Sequence, residues 1–459
     1  MPVPPATEPD LAGPDLADLT AALLDAARAA GADAADALAV ASTSLSVDVR
    51  GGALEQAERS EGLEVGLRVL LGRRQACVSA SDTAPATLAE MARRAVAMAR
   101  EAPDDPNAGL ADPAQLATAR DAEGLDLCDP APEPLPAALE EDARTAEAAA
   151  LAVAGVSQVQ GAGAGYGRTT IHLAASNGFS GGYARTGRSL SCVAITGEGT
   201  GMERDWAAES RVWQADLPVA ETVGRLAGER AAARAGARKP PTGTYPVLYD
   251  ERIAASLIGH LLSALNGTAI ARGSSWLRDA MGETVLPDAL SLTENPHRPR
   301  ISASRRFDGE GLATAPRRLV DGGVLQGWVL DLATGRKLGL ASTANAMRGL
   351  TAPPSPGVTS VALTPGDRDA AGLLREMGTG LYVTSLIGAT INPTTGDYSR
   401  GASGFWVERG EIAYPVNECT IAGNLRDMLR GLVPGNDAKA HKTMEVPSLL
   451  VEGLTVAGA

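Results

Sequence analysis

From Ser157 to Glu203 the chain reads SQVQGAGAGYGRTTIHLAASNGFSGGYARTGRSLSCVAITGEG and onward, alternating side-chain character at a period of two. A period of two suits an extended strand, in which successive side chains point to opposite faces, and is incompatible with a 3.6-residue helix. SNGFSGG supplies an Asn-Gly turn between the alternating runs, so the segment reads as antiparallel β structure. GAGAGYG, residues 161–167, does not lead a strand into a helix. It therefore reads as a β-turn and not as a dinucleotide fingerprint.

The same logic orders the rest of the N-terminal half. DLADLTAALLDAARAA, from Asp15 to Ala30, places leucines at helical spacing, with Gly31 as its stop. SLSVDVRGG alternates as a strand, and GLEVGLRVLLGRRQACVSAS reads as a hairpin turning at Gly72 and Arg73. APATLAEMARRAVAMAREA, PAALEEDARTAEAAALAV and VAETVGRLAGERAAARAGA read as amphipathic helices, and the stretch between Glu101 and Pro136 as a long connection. Pro-rich RKPPTGTYPVLYD marks a boundary near Arg238. Beyond it, GGVLQGWVLD, TGLYVTSLIG, ASGFWVERGEIAYPVNECTI and PSLLVEGLTVAG are short alternating runs cut by glycine, the pattern of a β-barrel or curved antiparallel sheet. The expected fold is α+β: a disordered tail over 1–14, a mixed domain with an antiparallel sheet and flanking helices over 15–237, and a β-rich domain over 238–459.

Composition excludes some functions. A net charge of −14 opposes a nucleic-acid-binding surface, which needs clustered Lys and Arg. No run approaches the eighteen apolar residues of a membrane span, and MPVPPATEPD lacks the basic and apolar regions of a secretory signal. Cys77, Cys128, Cys192 and Cys419 form no CxxC pair. A cytoplasmic protein without disulfides is expected.

The residues offer no complete active site. His172, His260, His297 and His441 lie far apart, and zinc needs three or four ligands. His260 sits alone on the leucine-rich helix ERIAASLIGHLLSALNG, where a packing or interface role is the plainer reading. His297 and His441 lie in polar segments and read as solvated. Asp308 and Glu310 in RRFDGEG are the best acidic candidates for a cation or for acid–base work. The plainer alternative is a solvated turn in which Asp308 bonds backbone amides and Arg305 or Arg306 pairs with an acid. Ser274 and Ser275 occupy no GxSxG elbow, and Cys419 reads as a buried strand cysteine.

LLSALNGTAIARGSSWLRDAMGE, RRFDGEGLATAPRRLVDGGVLQGWVLDLATGRKLGLASTANAMRG and GDYSRGASGFWVERGEIAYPVNECTIAGNLRDML, in that order, resemble the TldD/PmbA family, the modulator-of-gyrase proteins, and within it the PmbA (TldE) branch. The resemblance implies a cytoplasmic two-subunit protease. Its TldD subunit holds zinc through a HExxxH helix and a C-terminal cysteine and cleaves unfolded peptides, in peptide-antibiotic maturation and antitoxin turnover. Laid on that motif, ASLIGH puts Ala255 at the first His, Ser256 at the Glu and His260 at the second His. Alanine cannot ligate, serine is a poor replacement for the carboxylate, and GNDAKAHKTMEVPSLLVEG has no cysteine. The resemblance thus implies a subunit without catalytic residues or cofactor of its own, a TldD-type partner carrying the zinc, and a peptide-accepting cavity walled by the β-rich half. HExxxH spacing would also require a kinked or π-bulged helix, which Gly259 would ease. Two alternatives remain: an autonomous metallohydrolase using His260 with Asp308, Glu310 or another histidine, and a non-enzymatic peptide-binding homodimer.

Overall fold

The computed structural model describes residues 15–458, so the tail assigned to 1–14 lies outside the described residues. In chain order the first half contains α1 (Leu16–Ala29), β1 (Ala34–Arg50), β2 (Ala53–Leu71), β3 (Arg74–Ala80), α2 (Pro85–Glu101), α3 (Pro136–Leu151), β4 (Val156–Ala175), β5 (Ser180–Thr196), β6 (Glu203–Arg211) and α4 (Ala220–Ala232). The second half continues with β7 (Gly243–Tyr249), α5 (Glu251–Ala264), α6 (Gly267–Arg272), β8 (Leu292–Glu294), β9 (Arg317–Asp321), β10 (Val324–Leu325) and α7 (Leu332–Leu338). It ends with β11 (Ala346–Met347), β12 (Ser355–Pro356), β13 (Val361–Leu363), α8 (Ala370–Met377), β14 (Gly380–Ile391), β15 (Asp397–Glu408), β16 (Glu411–Asn424), α9 (Leu425–Arg430), β17 (Val433–Pro434), β18 (Met444–Glu445) and β19 (Leu449–Ala457).

The alternating runs pair into one antiparallel sheet in the order β3-β2-β1-β4-β5-β6. Each hairpin turns where glycine takes a positive φ: Gly51 and Gly52, Gly72, Gly178, and Gly197 with Gly199. The period of two then sorts the faces. Ala35, Ala37 and Ala39 of β1 pack with α1 and α2, and Leu45, Val47 and Val49 of the same strand pack with α3 and α4. The intervening Leu38 and Val40 face the other way, beside Leu173 and Phe307. All four helices therefore cover one face of the sheet. GAGAGYG is not a turn, as the sequence suggested, but the interior of β4. A Cβ on Gly163 would stand 2.5 Å from the Asp48 Oδ1 atom of β1, so glycine there makes room for a neighbouring side chain and turns nothing.

The second half is built on a sheet ordered β16-β15-β14-β7-β19-β17, with β16 also pairing β19, so that five strands close on themselves as the glycine-cut runs predict. Closure is not wholly antiparallel: β7 runs parallel to β14, across the long excursion that carries the shorter strands. Only Val324 and Leu325 of GGVLQGWVLD are strand, because Asp331 at its end caps α7, accepting from the Thr334 N–H at 2.8 Å. Among the described residues no helix is long and apolar enough to cross a membrane.

Candidate functional site

Helix α5 starts at Asp250, whose side chain accepts the Arg252 N–H, and it has no interior proline. Ala254, Leu257, Ile258, Leu261 and Leu262 recur every three or four residues and are buried. They share one core with Val247 and Tyr249 of β7, Val383 of β14 and Val451 of β19. This apolar stripe leaves Ala255, Ser256 and His260 half-buried on the helix flank.

His260 lies against an aromatic ring, meeting Tyr398 edge-on with centroids 5.9 Å apart. Burial, and then the positive charge of Arg400, push its pKa down, which favours the neutral imidazole. The His260 Nε2 atom and the Ser256 hydroxyl have no hydrogen-bond partner among the described residues. Cys419 lies on β16 opposite Ala402, with its thiol on the Ala402 carbonyl at 3.1 Å, and burial pushes its pKa up to about 11, so it stays a thiol. The kink anticipated at Gly259 is not there. Residues 251–264 form continuous α-helix, in which Ser263 Oγ donates to the Gly259 carbonyl at 2.9 Å. With Ala255 in place of a ligand, nothing requires positions 255 and 260 to share a face, and a regular helix sets them about 140° apart.

Asp308 and Glu310 correct the sequence expectation in a different way. Asp308 does bond backbone amides, accepting from Glu310 and Leu312 at 2.9 Å and from Ala346 at 3.0 Å. The turn is not solvated, however: Asp308 is 1% exposed, and the segment of Ala346 and Arg348 lies against the adjacent Gly309 while the Phe179 ring lies against Gly311. Glu310 accepts the Leu332 N–H at 2.9 Å, and burial, then the neighbouring Asp308, push its pKa up to about 8. Neither Arg305 nor Arg306 pairs with an acid among the described residues: Arg305 donates to the Ala346 carbonyl, and Arg306 to that of Glu123. His297 and His441 are half-buried instead of solvated, the first on Thr314 Oγ1 at 3.0 Å and the second 3.3 Å from Glu209. Ser275 is buried with its hydroxyl on the Ala264 carbonyl at 2.6 Å, a local tie and not a nucleophile's setting.

The raised Glu310 has a pH consequence. A carboxyl that keeps its proton longer in the folded chain contributes most below its unfolded value of about 4.3, and that contribution is lost as pH rises towards 8. Glu310→Gln removes this titration. It should leave the melting temperature nearly unchanged at about pH 5 and raise it above wild type at about pH 9. Equal shifts at the two pH values would contradict the assignment.

The sequence reading missed a buried ionic cluster that joins the two halves. Asp36 of β1 accepts from Arg68 of β2 through one oxygen, and from Arg348 Nε at 2.9 Å through the other. Glu294 is likewise held by Arg317 at 3.0 Å and by Asn345 at 2.9 Å. None of these residues forms a local motif, so no sequence spacing would have brought them together.

Comparison with known proteins places this geometry. Three family models match in order: PmbA/TldA metallopeptidase domain 1 over residues 35–99, the central domain over 129–237 and the C-terminal domain over 242–458. A metalloprotease PmbA of Escherichia coli O157:H7 is 37% identical, over 93% of this chain and 92% of its own length. The chain belongs to the PmbA/TldD metallopeptidase family. A PmbA homolog of Haemophilus influenzae is 33% identical over 90% of both chains. A crystal structure of a proposed modulator of DNA gyrase from Bacteroides thetaiotaomicron superposes with a TM-score of 0.89 at 28% identity, covering 96% of this chain and 98% of its own. TldE from Thermococcus kodakarensis shares the fold, with a TM-score of 0.84 at 20% identity.

The metal of a metallopeptidase does not fit the donor set on α5. Ala255 has no donor atom, Ser256 offers a neutral hydroxyl, and His260 has no acidic partner among the described residues to orient it as a zinc-bound imidazole is oriented. Among the described residues no three His, Cys, Asp or Glu side chains converge as a metal site.

Proposed function

We propose that this chain is the non-catalytic subunit of a PmbA/TldD zinc metalloprotease, pairing with a TldD-type subunit that carries the metal and processing unfolded peptides. The observation that carries this reading is the set Ala255, Ser256 and His260 on an otherwise intact α5. The helix keeps its packing stripe and lacks the chemistry that a metallopeptidase helix would supply. The rival metallohydrolase built on Asp308 and Glu310 is disfavoured, since Asp308 spends both oxygens on backbone amides and burial keeps Glu310 protonated up to about pH 8. Under this reading the chain contributes a wall to a peptide-accepting space. An extended peptide is held largely by main-chain bonds, which need shape and free donors and no catalytic group.

Reconstitution tests the pairing. Mixed with a TldD-type subunit of the same cell, the chain should form a stable complex that cleaves an unfolded peptide faster than the zinc subunit alone. A partner that is fully active alone and forms no complex would sink the proposal, leaving the peptide-binding homodimer as the standing reading.

A further inference from the structure

The face of the N-terminal sheet without helices is where the second half docks, and a cavity of about 200 Å³ remains between them. It opens beside a second space of about 330 Å³ that shares Ile171, Tyr183 and Arg185. Strand register explains its lining. Leu38 pairs Leu173, Ile171 pairs Tyr183 and Thr169 pairs Arg185, so an apolar floor runs along the strands to a single arginine. The segment carrying Ala303, Arg305 and Phe307 forms the opposite wall.

Arg305 is 6% exposed, and its Nη1 donates to the Ala346 carbonyl at 3.0 Å. Its Nε and Nη2 have no partner among the described residues, nor has the Nε of Arg185, whose Nη2 donates to Tyr183 Oη at 2.8 Å and to the Ser304 carbonyl at 3.0 Å. Arg348, also on the wall, is ion-paired with Asp36 through Nε, although its Nη2 has no partner among the described residues. Arg305 and Arg185 make no ion pair among the described residues. Asp308, the acid nearest to hand in the lining, spends both oxygens on three backbone amides. Arg185 and Arg305, the two guanidiniums in the lining without an ion pair among the described residues, each keep a buried donor without a partner, in a chain whose net charge is −14. Unmatched buried donors on fixed cations are costly unless an anion meets them, and the planar guanidinium fork suits a carboxylate. Most of the remaining lining is apolar (Leu38, Ile171, Leu173, Phe307 and Val358), with Asp308, Arg348 and Thr359 as the polar exceptions, which suits an organic body attached to the anion better than a fully polar oxyanion such as phosphate.

We infer that this cavity binds the terminal carboxylate of a peptide whose last side chain is apolar, with Arg305 and Arg185 holding the carboxylate and the Leu38–Leu173 and Ile171–Tyr183 rows receiving the side chain. The peptide as source of the carboxylate rests on the function proposed above; the carboxylate site itself rests on the two arginines and the cavity.

The test uses the full chain alone. Binding of N-acetyl-leucine and of a fluorescent pentapeptide ending in leucine is compared with the C-terminal amide of each, by ligand-observed NMR and by anisotropy. Each acid should bind about tenfold or more tighter than its amide. Arg305→Met should abolish that preference, and Arg185→Gln, at a half-buried position that the fold tolerates more readily, should reduce it, with melting curves confirming that both variants fold. Equal binding of acid and amide, no binding of either, or an undiminished preference in folded Arg185→Gln would each overturn the inference. Displacement of the peptide by inorganic phosphate at concentrations where N-acetyl-leucine has no effect would overturn it too, in favour of an oxyanion. None of these outcomes bears on whether a zinc subunit is recruited, which reconstitution reads separately.

Discussion

Asp36→Asn should cost the folded state about 3–5 kcal/mol, the loss typical of removing one partner from a buried ion pair. The Arg68, Asp36 and Arg348 side chains are 4%, 5% and 2% exposed, so water cannot replace what the substitution removes. Burial alone would push the Asp36 carboxyl up. The charges of Arg68 and Arg348, with their hydrogen bonds, outweigh it and hold the group below the usual carboxylate range. Asparagine keeps the shape but leaves two guanidiniums buried without an anion. Because Arg68 belongs to β2 and Arg348 to the segment after β11, the damage falls on the contact between the halves. Urea unfolding gives the loss directly. Replacing all three residues together, as Asp36→Leu, Arg68→Met and Arg348→Met, should recover most of it, since no charge is then stranded. A loss below about 1 kcal/mol in the single variant would mean that the cluster is looser than its burial implies.

The second large effect separates packing from chemistry on α5. Leu257→Ala and Leu261→Ala should each cost about 2–5 kcal/mol, as deletion from a fully buried core does. His260→Phe, one residue away, should be close to neutral. It removes a ring nitrogen that has no partner, keeps an aromatic edge for Tyr398, and stands on the half-buried flank. The two kinds of variant are compared by thermal melting. If His260→Phe were as damaging as Leu261→Ala, the histidine would hold a polar contact that this account does not give it.

What was legible in the sequence was whatever local periodicity dictates. The end of α1 at Gly31, the hairpin turns at Gly72 and in SNGFSGG, and the apolar run of α5 all follow from residues within a few positions of one another. GAGAGYG misled because glycine serves close approach as well as turning, and only the position of Asp48 decides between them. The parallel register of β7 and β14 and the burial of Asp308 depend on segments brought in from far along the chain. The arginines of the cavity were invisible for the same reason, since Arg185 and Arg305 converge only once the second half covers the bare face of the sheet. The reading of Ala255 and Ser256 as positions without zinc chemistry came only from the resemblance, since nothing in their local pattern marks them as a site.

The central claim is that α5 keeps a metallopeptidase helix's place in the fold without its metal chemistry. Zinc analysis of the purified full chain, after exposure to zinc and removal of loosely bound ion, tests this most directly when paired with a peptide-cleavage assay on the same sample. The account predicts zinc far below one ion per chain and no cleavage above a blank. Stoichiometric zinc that is lost in His260→Ala, together with cleavage by this chain alone, would contradict it.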